Sequence, residues 1–206
     1  MNQNTLKSNR LLTPVIGLAF LSSGAALLTY IVFNLPMAPS LAFAFSIVAG
    51  LVVWQLCAID SVQRIAFAKL LGKGIVIGLL ATIAYDVVRL LVVELFAIPI
   101  SPFKAFPYFG YAISGENIAP TSAIAVGTMY HLTNGIFFSV SYNLLLGGRR
   151  WFYGLFWAVG LEILMLATYP TWLNLDAVMN EFTEVSVAGH LAYGAVLGMM
   201  SRSMRS

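Results

Sequence analysis

Charge is what this chain has least of: lysine, arginine, aspartate and glutamate together make up 9% of its 206 residues, against 60% hydrophobic residues. Soluble domains carry roughly 25% charged residues, so no part of the chain has the composition of a separate soluble domain. Cysteine is nearly absent too. Cys57 stands alone, which excludes an internal disulfide, a CxxC redox pair and a thiolate zinc site; it reads as a small hydrophobe near a helix end. The formal charge of +3 does not point to nucleic acid, because the basic residues sit at the ends of apolar runs and form neither a patch nor an aromatic-flanked stripe. Neither HExxH nor ExxH occurs, so no local zinc or di-metal signature exists.

What the chain has is long apolar runs, with a mean hydropathy of +0.87. These predict an all-α fold: a polytopic membrane protein, a six-transmembrane-helix bundle occupying residues 1–206 as one integral membrane domain. The first run, 11–33, is too long for a signal-peptide core and lacks a persuasive cleavage site, so it reads as an uncleaved span. A turn with Pro36 and Pro39 leads to the second span, 41–59. Neither contains an ionisable residue; Ser22, Ser23, Thr29, Ser46 and Gln55 are mild enough to bond back to backbone or to a neighbouring helix. Residues 60–73 read as a basic loop with Arg64, Lys69 and Lys73, and the third span as 74–98, with Gly74 and Gly78 spaced for close helix approach. Residues 99–120 form the longest connection, dense in proline and aromatics; they read as a lid or as an interfacial belt, the belt being the commoner fate of such aromatics. The remaining spans are 121–146, 151–172 and 185–201, with an acidic loop over 174–184 and a second GxxxG at Gly194 and Gly198.

Lysine and arginine count the orientation. Lys7, Arg10, Arg64, Lys69, Lys73, Arg149, Arg150, Arg202 and Arg205 all fall on one side of a six-span chain and only Lys104 on the other, so both termini are expected in the cytoplasm.

Against this background the ionisable residues inside the spans stand out. Such groups are costly in hydrocarbon and are read first as a functional site. With about 1.5 Å of rise per residue, Asp86 lies roughly 18 Å from the outer end of its span, His131 roughly 15 Å, Arg89 and Glu162 roughly 14 Å and His190 roughly 10 Å. Four helices thus place five groups in one layer. His131 and Asn134 share a helical stripe with Gly127, Phe138 and Tyr142, and His190 shares one with Ser186, Tyr193, Gly194 and Leu197.

Two chemistries follow. His131, His190, Glu162 and Asp86 are sufficient ligands for one zinc, iron or manganese ion, with an open position for water; Arg89, Asn134 and Tyr193, together with Glu162 and Asp86, then stand as candidate catalytic groups. Alternatively His131 and His190 are axial ligands of a haem b with Arg89 near a propionate, which leaves Glu162 and Asp86 without a purpose. A metal- or haem-binding enzyme or cofactor protein is therefore the leading expectation, acting on a lipid-soluble or small-molecule substrate that enters from the outer leaflet.

A proton-coupled transporter or channel is the alternative, and a structural or assembly protein the third. In the last case Asp86 and Arg89, one turn apart, simply neutralise each other, each histidine bonds a neighbour, and Glu162 is protonated. The first three spans do not mirror the last three, which speaks against an internal-repeat transporter, although a homodimer would restore symmetry.

The Tyr130-His131-Leu132 run, Pro170, and Glu184-x4-Gly189-His190 resemble the YagU-type family of small bacterial inner-membrane proteins over roughly the last eighty residues. The resemblance implies a bacterial inner-membrane location and draws attention to His131 and His190. It supplies no mechanism, and Glu162, Asp86 and Arg89 have no counterpart in it.

Overall fold

The computed structural model describes residues 12–202; Leu11, Lys7, Arg10 and Arg205 of the span and charge expectations lie outside them. Among the described residues the fold is entirely helical, with no strand. Helices α1 (Leu12–Ala19) and α2 (Ser22–Phe33) replace the expected single first span, meeting at a 43° bend. At the bend Leu21 N–H bonds to Leu18 O at 3.0 Å, which frees the carbonyl of Gly17. Ser141 satisfies it, donating from Oγ at 2.7 Å; a hydroxyl on another helix holds the break open.

Helix α3 is Met37–Ala58. Helix α4, Ser61–Leu95, has 35 residues and corrects the expected basic loop: residues 60–73 are helical from Ser61 onward. Asp60 caps the helix by accepting from Gln63 N–H at 2.9 Å, and Arg64, Lys69 and Lys73 are good helix formers. The helix is about 52 Å long at 1.5 Å per residue, well beyond a hydrocarbon core of about 30 Å. Apolarity had marked only its second part.

The proline- and aromatic-rich connection also folds. Helix α5, Ala105–Ser114, lies antiparallel along α6, Pro120–Leu146. Contact is backbone to backbone: a Cβ on Gly110 would run into Ala123 and one on Gly127 into Phe106. Phe106 and Phe109 are buried, so this segment is folded inward and is not a belt on the surface. Helix α7, Phe152–Trp172, contains Pro170 in its last turn. A 3₁₀ turn at Asp176–Val178 precedes α8, Met179–Arg202; the acidic loop is thus shorter than expected, and Glu181 sits in the first turn of α8, where the helix dipole favours it.

Helix α4 packs between α6 and α8, and α8 packs on α7. Both GxxxG pairs serve these crossings. A Cβ on Gly78 would come within 2.7 Å of Ile136 Cα, and one on Gly74 within 3.1 Å of Val140 Cα, so α4 and α6 touch through their backbones; Ser139 Oγ donates to Gly74 O at 2.9 Å across the contact. Gly194 and Gly198 meet Gly154 of α7 and Trp151, the residue before that helix, in the same way.

By length and apolarity, α3, α4 and α7 qualify to cross a membrane, and the bent α1–α2 pair makes a fourth candidate. Helices α6 and α8, at 27 and 24 residues, are long enough but do not pass on apolarity. Their polar residues, among them Ser139, Ser141, Asn143, Ser186 and Ser201, are buried within the bundle.

Candidate functional site

Helices α2, α4, α5, α6, α7 and α8 surround a cavity of about 490 Å³. Its walls are mostly apolar. Polar groups from three helices line it: Arg89 from α4, His131 and Asn134 from α6, His190 and Tyr193 from α8.

Each histidine is backed by a carboxylate from another helix. His131 Nε2 lies 3.2 and 3.1 Å from the two oxygens of Asp86. His190 Nδ1 lies 2.6 Å from Glu162 Oε2. The same nitrogen is 3.1 Å from the carbonyl of Ser186, and a nitrogen facing a carboxylate and a carbonyl must carry a hydrogen. Ser186 Oγ also donates to Glu162 Oε2, at 2.8 Å. Among the described residues Nε2 of His190 makes no hydrogen bond, and it is not among the fully buried unpaired polar atoms. The imidazole is therefore held in one tautomer with its other nitrogen toward open space.

Arg89 is only 5% exposed. Its Nη1 is 3.8 Å from Asp86, at the outer limit of an ion pair, so the expected Asp86–Arg89 pairing is present but looser than the Asp86–His131 contact. Nη2 donates to Pro102 O, which ties the segment before α5 over the site. Nε has no partner. The guanidinium lies 4.8 Å from the centroid of Tyr85, a cation–π distance. Gly189 is what lets it lie there, since a Cβ would come within 2.7 Å of Arg89 Cγ and 2.9 Å of Tyr85.

Tyr85 ties the two histidines together, its ring centroid 5.6 Å from that of His131 and 4.9 Å from that of His190. Phe106 of α5 covers His131 at 4.9 Å. Sequence reasoning missed Tyr85, Phe106 and Gly189; for Tyr85 the available signal was its place one turn before Arg89 on the same helical face. Asn134 and Tyr193 are already committed. Asn134 accepts from the fully buried Ser23 at 2.8 Å, and Tyr193 donates to Gly135 O at 2.7 Å.

The geometry does not support the expected single metal centre. Asp86, His131, Glu162 and His190 divide into two separate pairs, and among the described residues no group of three or more histidine, cysteine or acidic side chains is arranged to hold a metal ion. A bis-histidine haem fits no better, because the Tyr85 ring packs against both imidazoles.

The cavity opens sideways. Phe156 and Leu164 of α7 line it while being 68% and 52% exposed, and Ala25 of α2 lines it and is also exposed. The mouth lies between α2 and α7, on the apolar flank of the bundle.

Fold and site together define a helical protein with membrane-spanning candidates and an apolar cavity edged by two histidine–carboxylate pairs. No protein-family model matches the chain, and neither a curated protein nor a solved structure does.

Proposed function

We propose that this is a multi-pass protein of the bacterial inner membrane, with six spans and both termini cytoplasmic, whose intramembrane cavity takes up a lipid-soluble substrate through the α2–α7 mouth. There His190 is the general base or acid and Glu162 orients it. The observation that carries the reading is the His190–Glu162 contact at 2.6 Å beside a cavity that opens on an apolar flank. A carboxylate on Nδ1 fixes the tautomer and leaves Nε2 to exchange the proton, an arrangement used where histidine acts as acid or base. Proton abstraction would form an N–H bond at Nε2, with the electron pair of the broken bond left on the substrate.

Helices α6 and α8 count as spans in this reading although they are less apolar, because a helix packed inside a bundle presents its polar side chains to protein. The 35-residue α4 then carries Arg64, Lys69 and Lys73 on the cytoplasmic side. After Cys57→Ser, single cysteines at Ser40, Gly115 and Asn174 are expected to react with a membrane-impermeant thiol reagent added outside intact cells. A cysteine at Gly148 is expected to stay protected, and outside labelling there would reverse or break the topology.

The cavity itself is tested by Gly160→Trp. Gly160 lines the cavity and a Cβ there meets nothing within 4 Å, so an indole can be attached there without a backbone clash. Native mass spectrometry of detergent-purified protein is expected to show a retained hydrophobic small molecule in the wild type and its loss in Gly160→Trp. Equal retention by both would overturn the cavity as the binding site.

A further inference from the structure

The charges around the cavity set the chemistry of what it binds. The ionisable groups facing one another are Arg89 and Asp86 of α4, His131 of α6, Glu162 of α7 and His190 of α8; the segment before α5 contributes the Pro102 carbonyl and the Phe103 ring, both against Arg89. Tyr85 and Ser186 add hydroxyls. In a medium that tolerates little net charge, one guanidinium and two carboxylates are neutral overall when one of the two imidazoles is protonated. One imidazole is then left as a base.

Each imidazole holds one nitrogen against a carboxylate, His131 at 3.1 Å from Asp86 and His190 at 2.6 Å from Glu162. His190, with Nε2 unbonded, is the base. Arg89 lines the cavity, and the ion pair of its Nη1 with Asp86 is long at 3.8 Å. Guanidinium forks are suited to carboxylate and phosphate oxygens.

We infer that the ligand is a weak-acid amphiphile, a single hydrocarbon chain with a carboxylic acid head, that enters uncharged from the membrane and is held as its anion by Arg89. The inference rests on the cavity reading above. The step is neutral throughout. The O–H bond of the acid breaks, the proton forms an N–H bond at His190 Nε2, and the electron pair stays on the carboxylate beside Arg89. Cluster and ligand together carry no net charge before or after. The apolar wall formed by Ala25, Leu28, Phe156 and Leu164 receives the chain, whose far end runs out through the mouth.

The test is equilibrium binding of radiolabelled palmitic acid and of hexadecanol, its uncharged analogue, to the full-length protein in detergent. Palmitic acid is expected to bind about tenfold or more tightly than the alcohol, the size of one charge-assisted contact. Gly160→Trp is expected to abolish binding of both. Arg89→Lys should keep a reduced preference for the acid, and both Arg89→Gln and His190→Gln should bring acid and alcohol to equal affinity. Should Arg89→Gln fail to fold, the wild-type comparison and Arg89→Lys decide the matter.

Equal affinity of the wild type for acid and alcohol, both blocked by Gly160→Trp, would overturn the acidic ligand and leave the cavity reading intact. Binding of neither, or binding unchanged in Gly160→Trp, would remove the cavity reading and this inference with it. Phosphatidylglycerol is a permanently charged phosphodiester and has no proton to give. If it displaces palmitic acid from the wild type with higher affinity, the oxyanion head is that of a phospholipid and the proton-transfer step falls.

Discussion

Gly154→Leu is expected to abolish recovery of folded protein, whereas Gly50→Leu should leave the yield of monodisperse protein within about twofold of wild type. A Cβ at Gly154 would come within 2.6 Å of Gly198 N and 2.8 Å of Gly198 Cα, and closer still to Gly194 O. Overpacking against side chains costs about 1–3 kcal/mol because neighbours rotate away. Here the obstacle is the backbone of α8, which has no rotamer to change. The helices must separate, and separation pulls Glu162 on α7 from His190 and Ser186 on α8, which strands a buried carboxylate. That loss is large against a total stability of about 5–15 kcal/mol. At Gly50 a Cβ meets nothing within 4 Å. Size-exclusion yield and circular dichroism in one detergent read both variants, and a well-folded Gly154→Leu would mean that α7 and α8 do not cross as described.

Arg89→Ala is expected to destabilise the fold by about 3–5 kcal/mol, the usual penalty for removing one partner of a buried charge pair. It leaves two carboxylates in the layer and takes away the donor to Pro102 O. Asp86→Asn in the same chain should restore part of the loss by removing one carboxylate, but only part, since the Pro102 carbonyl stays unsatisfied. The distances further predict which partner of Asp86 matters more. His131 lies 3.1 Å away and Arg89 3.8 Å, so the double-mutant coupling between Asp86→Asn and His131→Gln should exceed that between Asp86→Asn and Arg89→Gln. Unfolding in a graded denaturing-detergent titration gives all the required values. Strict additivity of Asp86→Asn with both partners would remove the cluster as an energetic unit.

Much of this is legible in the sequence. The scarcity of charge and the apolar runs gave helices, and Asp86, Arg89, His131, Glu162 and His190 were legible as one layer because ionisable residues in apolar runs are rare enough to be compared by depth. Pairing was not legible. Depth along an axis says nothing of rotation about it, so Asp86 could be matched with Arg89 on its own helix but not with His131 on another. Nor was the folding of residues 99–120 legible, because aromatics and prolines suit a surface belt and a buried cap alike until Gly110 and Gly127 are seen to admit α5 against α6.

By itself, then, the sequence determined the helical class, the positions of the ionisable groups along their apolar runs and the two small-residue seams, since all three depend on composition and local periodicity. Tertiary structure alone decided that four expected metal ligands separate into two histidine–carboxylate pairs, that Tyr85 packs between those pairs, and that the cavity they edge opens between α2 and α7. Those outcomes turn on how helices rotate and cross, and crossings are set by backbone contacts such as Gly78 with Ile136 and Gly154 with Gly194, between residues far apart in the chain.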